Sequence, residues 1–139
     1  MLRALEKLGP ETLTAAGVAL GSALGGVLRY WLGGVVDRGV GETFPWGTLV
    51  VNVSGCFVIG LVFVASGTDG RVLLSPLQRQ TIMVGVLGGY TTFSSFSLQT
   101  LSLARDGEWA AAAANVLLSV GLSLAAVWLG ASAGAALNR

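Results

Sequence analysis

Residues 85–97 read GVLGGYTTFSSFS, and this run decides the architecture. The paired Gly88 and Gly89, the β-branched Thr91 and Thr92 and the serines that follow are all weak helix formers, so the run is a poor stretch of regular helix. Yet it lies inside an apolar segment, from about Arg79 to Ala104, that is long enough to cross a bilayer. Together these features predict a membrane span with a break near its middle. A break frees backbone carbonyls, which in hydrocarbon must be satisfied by protein, water or a bound cation. A kink packed by small residues is the plainer alternative.

Outward from this run, three more segments have the length and composition of spans, at about residues 13–36, 46–66 and 109–136. Asp37, Arg38, Gly39, Gly41 and Pro45 form the first connection; Gly67, Asp69, Gly70 and Arg71, continuing to Pro76, form the second; Arg105, Asp106, Gly107 and Glu108 form the third. Trp46 stands where an interfacial aromatic belongs. Of the 139 residues 53% are hydrophobic and 11% charged, and the mean hydropathy is +0.76. So few charges cannot cover a watery surface. Four helical spans use up the chain, which predicts an all-α membrane protein with one domain over residues 1–139, held in a lipid bilayer. Arg3 and Lys7 ahead of the first apolar segment imitate a secretory signal, but that segment is too long and three spans follow it.

The composition also excludes function classes. A net charge of +1 with no basic stripe gives no footprint for nucleic acid. Cys56 is the only cysteine, so neither an internal disulfide nor a cysteine metal site is available. The absence of histidine removes the usual proton shuttle and histidine-based nucleophilic catalysis, which argues against an enzyme. The predicted spans carry no Asp or Glu for proton coupling, and no nucleotide-binding loop is present, so passive permeation fits better than driven transport. An even number of spans puts both termini on one side. Arg3, Lys7, Arg71, Arg79 and Arg139 then face Arg38 and Arg105, with Arg29 near the latter end, a modest lead for termini in the cytoplasm.

On the first span Gly17, Gly21, Gly25, Arg29 and Gly33 recur every fourth residue and form one stripe, a face for close helix packing. Arg29 within it either faces protein and water or snorkels to the interface. On the second span Thr48, Asn52, Cys56 and Gly60 share a face. The Asn52 amide can bond a neighbouring helix, the reading its pattern favours, or donate to an anion. Phe93 and Phe96 lie on one side of the third span, with Thr100 following on that face. They are packing residues, or they turn the positive edges of their rings toward an anion. Asn115, Ser119 and Ser123 line one face of the fourth span, where three aligned polar groups suggest a track for water or ions.

Three motifs, GGVLRY at Gly25 to Tyr30, GTLVVNVSGCF at Gly47 to Phe57 and GGYTTFSSFS at Gly88 to Ser97, resemble the Fluc (CrcB) family of fluoride channels, in the family's order and over nearly the whole chain. The resemblance implies an antiparallel homodimer of dual-topology subunits with two fluoride pathways. Phe93 and Phe96 would face the ions with their ring edges, Asn52 would be a polar contact, Ser119 and Ser123 would match the polar track, and Thr48 would lie near the pore. It further implies a structural sodium ion at the dimer centre on main-chain carbonyls of Gly88 and Thr91, a prokaryotic plasma membrane and a role in fluoride resistance. Gln99 stands where many members carry a glutamate, so a role resting on that carboxylate does not carry over. A paired homologous subunit is the alternative to the homodimer. Two rival functions are a small proton-coupled multidrug exporter, which would want a carboxylate in the membrane, and an accessory assembly subunit, which would leave the polar faces unexplained.

Overall fold

The computed structural model describes residues 9–67 and 70–139, and these are helical with no strand. Arg3 and Lys7, part of the charge tally and of the signal-like start, and Asp69 of the second connection lie outside the described residues. The elements are α1 (Pro10–Val40), α2 (Trp46–Ala65), α3 (Pro76–Gln80), a π-helical segment (Thr81–Leu87) that runs on into the single turn Gly88–Tyr90, α4 (Phe93–Arg105) and α5 (Trp109–Leu137). Helices α1, α2 and α5 are each long and apolar enough to cross a membrane alone. The segment expected as a third span is no single long helix: it is assembled from the pieces between Pro76 and Arg105 and is interrupted at Thr91 and Thr92.

Helix α1 is longer than residues 13–36, because Pro10 is well placed at a helix start and Gly41, at φ 113°, ends it beyond Val40. It therefore takes in Glu11 and Asp37. Those two lie about 39 Å apart along the axis, more than the roughly 30 Å hydrocarbon core, so a centred helix keeps both at its margins. Asp37 also serves the fold, since its Oδ1 accepts the Gly47 N–H at 2.7 Å, one of the orphan donors at the start of α2. The third span begins at Pro76 instead of Arg79, because Ser75 and Gln78 form a capping box, Gln78 N–H donating to Ser75 Oγ at 3.2 Å and Ser75 N–H to Gln78 Oε1 at 2.9 Å.

Glycine sets the spacing between helices. A methyl on Gly60 would overlap the Val127 carbonyl and one on Gly130 the Phe57 carbonyl, so α2 and α5 meet backbone to backbone. Three glycines of the stripe on α1 pack the same way against the segment Pro76–Tyr90, while Gly33 lies toward Gly47 of α2. Gly17 faces Thr81, Gly21 faces Thr81 and Gly85, and Gly25 faces Val86 and Tyr90. The outside of the bundle is apolar, with Tyr30, Trp31, Trp109, Leu117 and Trp128 exposed, as a surface solvated by lipid requires.

Candidate functional site

The third span stops being helical at Thr91 and Thr92, whose backbones are extended (φ −82°, ψ 157° and φ −151°, ψ 118°). Extended backbone at this depth needs partners, and Asn52 of α2 supplies them. Its Nδ2 donates to the Thr92 carbonyl at 3.0 Å and its Oδ1 accepts the Thr92 N–H at 2.8 Å, a two-point pairing that imitates a backbone neighbour. Interhelical bonding, the favoured reading of Asn52, is therefore present, and one of its two Nδ2 protons remains for a second partner. The helix restarts because the Thr92 hydroxyl accepts from Ser95 N–H at 3.2 Å, an N-cap. Gly55 admits the break. A methyl there would overlap the Thr91 side chain.

Both diverted donors have a consequence. In an unbroken helix Thr92 N–H would serve the Gly88 carbonyl and Ser95 N–H the Thr91 carbonyl. Here they go to Asn52 and to the Thr92 hydroxyl, so both carbonyls lose their helical donors. Among the described residues no three His, Cys, Asp or Glu side chains gather to hold a metal. The main-chain oxygens left without helical donors at the break are hard ligands by type.

Beside the break lies a cavity of ≈ 300 Å³ lined by Asn52, Cys56, Phe93, Phe96, Ser119 and Ser123, with Thr91, Thr92, Val120 and Leu124 completing its wall. It brings together five of the six residues expected on an anion path. Thr48 is not among them. It lines a second, more polar cavity of ≈ 460 Å³ with Arg29, Asp37, Ser95 and Gln99. Thr92 borders both cavities, and Arg29 is half-buried.

The phenylalanine rings are 5.1 Å apart between centroids and inclined at 56°. Phe96 is 7% exposed and Phe93 75% exposed, so a single chain covers one ring and leaves the other open. Ser119 is buried and donates to Asn115 Oδ1 at 3.2 Å instead of to its own helix backbone. The Ser123 hydroxyl makes no hydrogen bond among the described residues and is free to donate into the cavity. Cys56 is half-buried in the cavity wall. The wall is chiefly apolar, with few, spaced donors, the second Asn52 Nδ2 proton and the Ser123 hydroxyl, beside the Phe93–Phe96 ring pair. Such a lining suits a small anion that is stripped of water and held weakly.

For two residues the sequence showed the position and not the role. Thr92 acts as the cap, a role legible from the preference for Thr at an N-cap only once the break is placed to the residue. Asn115, visible in the sequence only as part of a polar line, donates to Thr100 Oγ1 at 2.8 Å and joins α5 to α4. No sequence signal pairs those two.

Comparison with known proteins is concordant. The family model "CrcB-like protein, Camphor Resistance (CrcB)" matches residues 16–131. A protein of Paramagnetospirillum magneticum named "Fluoride-specific ion channel FluC" is 57% identical over 127 residues, covering 91% of this chain and 99% of that protein. One of the same name from Rhodospirillum rubrum is 59% identical over 113 residues, covering 81% and 88%. Another from Opitutus terrae is 56% identical over 121 residues, covering 87% and 92%.

Proposed function

The chain belongs to the CrcB family, and from that premise we propose that it is a fluoride-selective ion channel, not an enzyme, which lets fluoride leave the cell down its electrochemical gradient. The observation that carries this reading is the ≈ 300 Å³ cavity in which Asn52, Phe93, Phe96, Ser119 and Ser123 meet beside the broken span. Fluoride exchanges most of its water for amide, hydroxyl and ring-edge donors and moves on. No bond is made or broken. Chloride, larger and a weaker acceptor, gains less from the same narrow lining.

The working unit is an antiparallel dimer of dual-topology subunits, a second copy of this chain being preferred to a paired homologous subunit. The exposure of Phe93, alone in an otherwise shielded pair, supports it. A structural sodium ion at the dimer centre would be held by the Gly88 and Thr91 carbonyls, whose helical donors are engaged elsewhere. It would fix the two breaks against each other. The setting is a prokaryotic plasma membrane and the benefit fluoride resistance, since fluoride enters as the neutral acid and is trapped as the anion. The multidrug-exporter reading lacks a carboxylate in the cavity that Asn52 lines, and an assembly role leaves the aligned donors without use.

The direct test is fluoride efflux from liposomes holding the purified protein, read with a fluoride electrode, with a potassium ionophore to clear the voltage and chloride as control. Rapid fluoride loss without chloride loss is expected. Absence of fluoride loss from a dimer would sink the homodimeric channel. Phe96→Ile removes the ring edge but keeps an apolar side chain, and it should cut flux by up to about tenfold while the dimer stays folded. Unchanged flux would refute the aromatic-edge role.

A further inference from the structure

Building on the channel reading, we propose that Asn115 competes with the permeating anion for the proton of Ser119 and so shortens the stay of fluoride in the cavity. A hydrogen-bonded chain with a forced direction leads to that serine. The Phe96 carbonyl can only accept, so Thr100 gives it its single hydroxyl proton, at 2.8 Å. The Thr100 oxygen can then only accept, and it takes Asn115 Nδ2–H at 2.8 Å. That contact fixes which way the carboxamide faces. Oδ1 points along α5 to Ser119, which gives it its one proton at 3.2 Å. The orientation of a hydroxyl on the cavity wall is thus dictated by a backbone carbonyl on another helix.

An anion meets lone pairs at Ser119 as long as that chain is closed. To help bind fluoride, Ser119 must turn its proton into the cavity, and Asn115 Oδ1 is then left without a partner at a residue 2% exposed. The bond being broken is long for an O–H donor, which keeps the exchange within reach. Ser123, one turn further on, carries no such commitment among the described residues. The two serines therefore differ in strength although the sequence shows them as equivalent. A weakened position is useful in a channel, because an ion must leave as readily as it enters.

Thr100→Val tests this in the full-length protein in planar bilayers, with current measured against fluoride concentration. Valine keeps the shape but no longer orients the carboxamide, which can turn its N–H to Ser119 and release the serine proton toward the ion. The half-saturating fluoride concentration should fall by about fivefold, the equilibrium factor of one ordinary hydrogen bond. Thr100→Ser should keep the wild-type value, and adding Ser119→Ala to Thr100→Val should erase the shift. A link that merely holds α4 to α5 would change the number of active channels and not the concentration dependence. If Thr100→Val does not fold, Asn115→Leu, which removes the competing oxygen itself, should give the same fall. An unchanged or raised half-saturating concentration in a folded variant overturns the proposal. A wild-type protein that carries no fluoride current overturns the channel reading instead, and this inference with it.

Discussion

Asn52→Asp should abolish fluoride conduction, cutting efflux at least about 100-fold, in line with the cost of a charge at membrane depth. Two losses add. Asparagine presents a donor to the Thr92 carbonyl at 3.0 Å and an acceptor to the Thr92 N–H at 2.8 Å. Aspartate keeps the acceptor but sets a second oxygen against the carbonyl, and it places a negative charge in the wall that the anion must pass. Asn52→Leu separates these effects, since it removes the clamp without adding charge. It leaves the N–H and C=O of a buried Thr92 unmatched, so it should lower stability by about 1–3 kcal/mol for each group stranded. Efflux for function and thermal unfolding of the dimer in detergent for stability decide both. Asn52→Asp conducting within about threefold of wild type would show that the two-point pairing and the charge-free wall are dispensable, a result at odds with the penalty for intramembrane charge.

Adjacent glycines should answer oppositely to the same change. Gly25→Ala drives a methyl into the Val86 carbonyl and within 2.7 Å of Tyr90 N, both backbone atoms that cannot swing aside. Helix α1 must then lift away from the segment that leads into the break, and the expected loss is about 1–3 kcal/mol, the usual range for overpacking, or more if the helices cannot shift. Gly26→Ala meets nothing within 4 Å. It should be neutral or slightly stabilising, since alanine is the better helix former. Comparing the unfolding temperatures of the two variants checks this, and equal temperatures would mean that the glycine stripe is not a packing face. Because Gly25 also seats Tyr90, next to Thr91, its variant should lose efflux beyond what lost protein explains.

The glycine face of α1, the three long apolar helices and the position of the break were legible because each rests on local chemistry. Period-four glycines on α1, apolar runs of spanning length, and weak helix formers between Gly88 and Ser97 need no knowledge of neighbours. The helix ends were less legible. Asp37 reads as a loop residue until Gly47 N–H is found bonded to it, and Ser75 starts a helix only because Gln78 answers it. Gathering five candidate residues into one cavity while Thr48 lines another depends on how α2, α4 and α5 rotate against each other, and periodicity along one helix is silent on that.

By itself the sequence determined that this chain lives in a bilayer, that residues 85–97 are weak helix inside an apolar segment, that close-packed glycine holds the helices, and that histidine is absent. Those follow from solvent preference and backbone propensity, which are properties of residues and their near neighbours. Only the tertiary structure decided that Asn52 is spent largely on Thr92, that Phe96 is covered while Phe93 is open, and that Ser119 is tied through Asn115 and Thr100 to the Phe96 carbonyl. Hydrogen bonds and exposure are properties of pairs distant in the chain, and a donor's usefulness to an ion depends on which acceptor already holds its proton.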